Sequence, residues 1–325
     1  MYAKLIGTGQ YLPSRILSND ELAQHVDTSD AWIKQRVGIA SRRISSESET
    51  VVFMATEAAK QALEKAKISP DQLDLILLTT SSAEDRMPSA ASQVQRNLGI
   101  VSGCPAFDLS AACSGFLYGL QVVEQYIKAG TAQHILLVSS ERMSRLIDWS
   151  DRATCVLFGD GAGAAVFKAS DEPGILATCI HSDGQYRECL YVDGGLPKGP
   201  FVEDEGDVDP ISLKMEGNKV FKHAVNMLAD IASEVIQKAG VKPAEIDWLV
   251  PHQANERIIV ATAKKLNLSM DKVILTLAEH GNTSAASVPL ALDAGLRSGK
   301  IKSGDLILCE AFGAGFVWGA SLIRI

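Results

Sequence analysis

At 325 residues the chain is long enough for one large core or two fused halves. Its 46% hydrophobic and 22% charged content is that of an ordinary globular protein, and a net charge of −8 with a pI near 5.3 argues against general nucleic-acid binding. No run nears the roughly eighteen apolar residues of a membrane span, and MYAKLIGTGQYLP lacks the apolar stretch of a signal peptide, so a cytoplasmic location is expected.

In chain order, the first strand ends in Gly7-Thr8-Gly9, which starts like a dinucleotide fingerprint. The third glycine is missing and Leu12-Pro13 follows instead of a helix, which excludes that reading. Residues 58–80, AAKQALEKAKISPDQLDLILLTT, predict a helix, a proline turn and an apolar strand. Runs such as LDLILLTT and HILLVSS are apolar at nearly every position, as in strands with helices on both faces. Residues 108–116, DLSAACSGF, then place a thiol among small residues. The stripe Phe116, Leu120, Val123, Ile127 has a 3.6-residue rhythm and puts Cys113 in the first turn of a helix. A helix N-terminus favours the thiolate, so the pKa of Cys113 is expected to be lowered. A buried structural thiol is the ordinary alternative. Gly159 to Gly163 carries no P-loop lysine and reads as close backbone packing. Residues 194–210, with glycines, prolines and five acids, read as an exposed loop.

The chain repeats itself. Lys65-Ala66, Pro70 and Asp74 match Lys238-Ala239, Pro243 and Asp247 at an offset of 173, and Gly130 to Glu141 matches Gly299 to Glu310 at 169. FGDGAGAAVF echoes FGAGFVWGASLI in the same order. A duplicated α/β unit is expected, joined near 171–174, with halves 1–172 and 173–325. The offset of 169 sets Cys113 against Asn282. His252 follows the strand IDWLVP, at a strand end where α/β proteins place function. Either residue alone reads as a cap or a packing group, but Cys, His and Asn at element ends together suggest nucleophilic acyl transfer. Cys104, Cys155, Cys179, Cys189 and Cys309 form no CxxC pair, and His280 has no second ligand at metal spacing, so no metal is expected.

DLSAACSGF, DRATCVLFGDGAGA, PHQANERI, EHGNTSAASVPLAL and FGAGFVWGA closely resemble the signature segments of the β-ketoacyl-ACP synthase III family, and the likeness runs from GTGQYLP to the C-terminus. The resemblance implies a thiolase-like fold, five-layered αβαβα and internally duplicated, in a homodimer. It implies an acyltransferase that joins an acyl-CoA primer to malonyl-ACP with loss of CO2, giving 3-oxoacyl-ACP and starting fatty acid synthesis, with no cofactor beyond these substrates. Cys113 would carry the acyl group. His252 and Asn282 would hold the malonyl-derived enolate, and the backbone N–H groups of Cys113 and Ala314 the acyl oxyanion. An asparagine at position 282 distinguishes this CoA-primed class from chain-elongating enzymes, which usually carry histidine there.

The same resemblance assigns Trp32 and Arg152 to the adenine of CoA and Arg36 to a phosphate. It assigns Gln253, Ala254, Asn255, Glu256 and Arg257 to the carrier protein, with Lys222, Lys264 and Lys265 completing a basic face toward this acidic partner. Met87 falls at an acyl-pocket position. A same-fold acyltransferase making a secondary metabolite or signal molecule, or a non-catalytic thiol sensor, are the alternatives to that reading.

Overall fold

The computed structural model describes residues 1–193 and 211–325, so the loop expected at 194–210 lies outside the described residues. The chain begins with β1 (Tyr2–Tyr11), β2 (Arg15–Ser18), α1 (Asn19–Leu22), α2 (Asp30–Val37) and β3 (Ser41–Ile44). It continues through α3 (Val51–Ala66), β4 (Leu75–Thr79), α4 (Ala90–Asn97), β5 (Ala106–Leu109), α5 (Gly115–Lys128), β6 (His134–Arg142), α6 (Arg152–Cys155) and β7 (Asp160–Ser170). Then come β8 (Ile175–Ser182), β9 (Leu190–Asp193), β10 (Ser212–Met215), α7 (Gly217–Ala239), β11 (Trp248–Pro251) and α8 (Glu256–Lys265). The chain ends with α9 (Leu277–His280), α10 (Ser287–Arg297), β12 (Leu306–Gly313) and β13 (Val317–Arg324).

Two mixed sheets run in the orders β1-β7-β6-β4-β5 and β8-β13-β12-β11. The apolar strands bury both faces. Leu75 and Leu77 of β4 join a central cluster with α5 and α10, while Ile76 and Leu78 join an outer cluster under α3 and α4. The second sheet packs its other face against α7 and α8. The result is five layers, helix-sheet-helix-sheet-helix. Where the first sheet has β5, the second keeps one parallel bridge, Leu249 to Val273. Among the described residues no helix is long and apolar enough to cross a membrane.

Gly7 and Gly9 serve packing. The Thr50 side chain accepts from Phe53 N and so starts α3, whose Ala55, Ala58, Ala59 and Ala62 are buried. A Cβ on Gly9 would stand 2.1 Å from Ala58 O, so the small faces of β1 and α3 allow backbone-to-backbone approach.

Hydrogen bonds fix the register of the duplication. Asp74 N donates to His134 O and Asp247 N to Leu306 O, each at 2.9 Å, which pairs His134 with Leu306 at an offset of 172. The 3₁₀ turns before the central helices agree. Ala112–Ser114 precedes α5 and Ser284–Ala286 precedes α10, with Ala112 (φ 42°) and Ser284 (φ 50°) both left-handed. The expected match of Cys113 with Asn282 is therefore three residues out. Cys113 corresponds to Ala285, and Glu141 corresponds to Gly313 rather than Glu310. The cause is that α10 has 11 residues where α5 has 14, and the turn before β12 restores the difference. Gly130 and Gly299, which follow the two helices, keep the offset of 169.

Candidate active site

Cys113 sits in the 3₁₀ turn just before α5, buried at 9% exposure. Gly313 lies against it, and a Cβ there would stand 2.7 Å from Cys113 N. The Ser114 hydroxyl donates to Val317 O at 3.0 Å and ties the turn to the second sheet. Burial pushes the Cys113 thiol up to about 11, and the negative Glu141 adds to that. Against the lowering expected from a helix N-terminus, desolvation by burial is the larger effect, since a helix end contributes about 0.3–1 kcal/mol, rarely 2. At neutral pH the resting group is a thiol and needs a base.

His252, at the end of β11, is buried and pushed down to about 4, so it is uncharged at neutral pH. Its Nδ1 is 2.5 Å from Ser287 Oγ, which also accepts from Gln253 N at 3.3 Å. A hydroxyl can give or take a proton, so Ser287 supports either imidazole tautomer. Asn282 is fixed at three points. Its N–H donates to Leu157 O (2.8 Å), its carbonyl accepts from Gly159 N (3.0 Å), and its Oδ1 accepts from Ser284 N (2.8 Å). That leaves the Nδ2 amide as its donor.

Cys113, His252, Asn282 and Ala314 line one cavity of about 550 Å³, which extends past Phe312, Leu157 and Leu228 to Trp32 and Arg36. The guanidinium carbons of Arg36 and Arg152 stand 5.6 and 5.0 Å from the Trp32 ring centre. Arg152 donates to the Asp27 carbonyl at 2.9 Å. Among the described residues no cluster of His, Cys, Asp and Glu could hold a metal.

The segment 253–257 divides. Gln253 is 1% exposed and does not face a partner. Its amide donates to Pro251 O and Ile274 O and accepts from Thr276 N and Leu277 N, so it welds β11 to the start of α9. Ala254, Asn255 and Arg257 line the cavity, and Glu256 packs beside Gly38. Arg257 stands over Phe221 of α7 at 5.5 Å, next to exposed Lys222. Lys265 donates to Asn226 Oδ1 at 2.6 Å, so α7 and α8 present Lys222, Arg257, Lys264 and Lys265 on neighbouring surface. Met87 does not line the cavity. It is 84% exposed, because the segment leading through Pro88 into α4 projects it outward. Sequence reading missed Glu141, Ser284 and Ser287. The acid closing an apolar strand in HILLVSSE, and the serines of NTSAAS, were the available signals.

Two family models match, "3-Oxoacyl-[acyl-carrier-protein (ACP)] synthase III" over residues 107–184 and its C-terminal counterpart over 236–325. The β-ketoacyl-[acyl-carrier-protein] synthase III of Thiobacillus denitrificans is 52% identical over 323 residues, covering 99% of both chains. This chain belongs to that family. The synthase III solved from Aquifex aeolicus is 47% identical with a TM-score of 0.93, covering 99% of this chain and 100% of the other. A priming β-ketosynthase of a polyketide pathway follows at 36% identity and a TM-score of 0.92, covering 99% of this chain and 96% of its own. The five layers are thus the thiolase fold, as expected from the sequence. As a synthase III the chain is an acyltransferase, the condensing enzyme that starts fatty acid synthesis.

Proposed function

We propose that the chain condenses a short acyl-CoA primer, such as acetyl-CoA, with malonyl-ACP through an acyl-enzyme on Cys113. The observation that carries this is one cavity holding Cys113, His252 and Asn282 together with the Trp32–Arg36 end. His252 Nε2 takes the thiol proton, the sulfur attacks the thioester, and backbone N–H groups of Cys113 and Ala314 hold the oxyanion. The carbonyl re-forms and CoA leaves with the proton. Malonyl-ACP then loses CO2, and its enolate oxygen accepts from His252 Nε2–H and Asn282 Nδ2–H. The enolate carbon attacks the Cys113 thioester, the acyl carbon–sulfur bond breaks to free 3-oxoacyl-ACP, and the Cys113 thiolate takes up a proton to return to the thiol.

Ser287 suits both steps, since the first needs Nε2 as acceptor and the second as donor. Trp32, Arg36 and Arg152 would hold CoA, and Lys222, Arg257, Lys264 and Lys265 would face the carrier protein. No cofactor takes part. Six cysteines, all unpaired, support a cytoplasmic location. The exposed Phe107 on the edge strand β5 supports a homodimer through that edge. Two sheets meeting near 172 support halves 1–172 and 173–325.

Asn282→Ala tests the division of labour. It should still form the acyl-enzyme from labelled acetyl-CoA, yet release CO2 from malonyl-ACP about a hundredfold more slowly, the usual cost of one oxyanion donor. Normal CO2 release with failed acylation would reverse the assignment. Labelling that survives Cys113→Ser would remove Cys113 as the nucleophile.

A further inference from the structure

Glu141 is fully buried at the end of β6 and belongs to none of the steps above. Donors surround it. Ser81 N reaches both carboxylate oxygens at 3.2 and 3.1 Å, Thr80 Oγ1 reaches Oε2 at 3.2 Å, and Ser82 Oγ donates to Oε2 as well. On its cavity side Ser284 Oγ stands 3.1 Å from Oε1, and the same hydroxyl is 3.5 Å from Cys113 Sγ. The duplication sharpens the point. The counterpart position in the second half is Gly313, so only the first half sends a carboxyl toward the opposing turn.

We propose that Glu141 is a positioning residue for the nucleophile, acting through the Ser284 hydroxyl to decide whether Cys113 meets a hydrogen-bond acceptor or a donor. Ser284 has one proton for two neighbours. When Glu141 is ionised the hydroxyl donates to it, and Sγ can only donate to Ser284 Oγ, which holds the S–H form. When Glu141 is protonated it donates to Ser284 Oγ, and the hydroxyl turns to the sulfur and supplies a donor to the thiolate. Burial raises Glu141 to about 7 against the pull of its donors, so both states occur near neutrality.

Other ionisable groups on the packed elements are engaged elsewhere. Arg142 turns to Glu84 and Ser46 O, and Asp160 of β7 accepts from Ser45 and Ser144. On α5, Lys128 pairs with Glu124 more than two turns away; on α3, Lys60 pairs with Glu57, Lys65 with Asp293, and Glu64 is exposed. Lys168 of β7 is exposed at the far end of that strand, β4 and the Ser284 turn carry no charge, and His252 is neutral above pH 5.

The role in catalysis rests on Cys113 being the nucleophile, but the test uses iodoacetamide and needs no acyl substrate. The rate of Cys113 alkylation, read on its peptide by mass spectrometry from pH 5.5 to 9.5, should rise in wild type, level off near pH 7 as Glu141 ionises, and rise again. Glu141→Gln should give a straight rise with no plateau and about tenfold faster reaction at pH 8, the effect of removing one near like charge. Ser284→Ala keeps the direct charge of Glu141 but removes the relay, so its plateau should be clearly shorter than in wild type. A plateau of full wild-type length in Ser284→Ala would show that Glu141 acts through space alone and would overturn the role of the Ser284 hydroxyl. A Glu141→Gln profile superimposing on wild type would overturn the proposal outright.

Discussion

Glu310 stands in β12 between Cys309 and Ala311, fully buried, and neither carboxylate oxygen has a partner among the described residues. Burial pushes it up to about 8, so folding favours its protonated form. A group whose folded pKa lies above its unfolded value loses its stabilising contribution as pH rises toward that folded value. The span from the ordinary 4.5 to about 8 amounts to several kcal/mol at 1.36 kcal/mol per unit. Glu310→Gln should therefore melt like wild type at pH 4.5 and several degrees higher at pH 9, by calorimetry. Equal melting shifts at both pH values would refute the buried-acid account. His252 works in the opposite sense, costing stability as pH falls from 6.5 toward 4. Cys113, His252 and Asn282 were legible because each sits in a compact run of small or polar residues at an element end. Glu141 was not, because an acid closing a strand looks solvated until the fold sets it under Ser81, Ser82 and Ser284.

Among the elements, the entry to α8 passes from buried to exposed within five residues, Gln253 to Arg257. The Asn255 side chain caps it by accepting from Arg257 N at 2.9 Å, and Gln253 just before it spends its whole amide on buried backbone groups. Gln253→Ala would strand those groups, a loss of about 1–3 kcal/mol for each unsatisfied polar atom. It should lower the melting temperature markedly. Arg257→Glu should melt normally but raise KM for malonyl-ACP several-fold and leave acylation by acyl-CoA nearly unchanged, with wild-type affinity falling as salt rises. If Arg257→Glu instead slowed acylation as much, the residue would serve the cavity rather than the carrier. The helix, proline turn and strand of the repeat were readable because Pro70 and Pro243 open matching 3₁₀ turns. The central helices misled, since a one-turn deletion in α10 cancels against a longer turn and leaves the helix-end glycines aligned while shifting the helix starts.

At the scale of the whole molecule, layering was written in the strands, whose unbroken apolar runs require cover on both faces. The contents of the central cavity were not, because Ser284, Leu228 and Phe312 reach it from elements far apart in sequence. That cavity sets the order of events. CoA and the carrier protein both end in a phosphopantetheine arm, and in the proposed reaction both arms use the one cavity of about 550 Å³ that leads to Cys113. On that reading the first thiol product would depart before the second thioester reaches Cys113. Initial rates measured over a grid of acyl-CoA and malonyl-ACP concentrations should therefore give parallel double-reciprocal lines, a substituted-enzyme pattern. Lines that intersect would mean that both thioesters occupy the protein together and that a second route to the thiol exists.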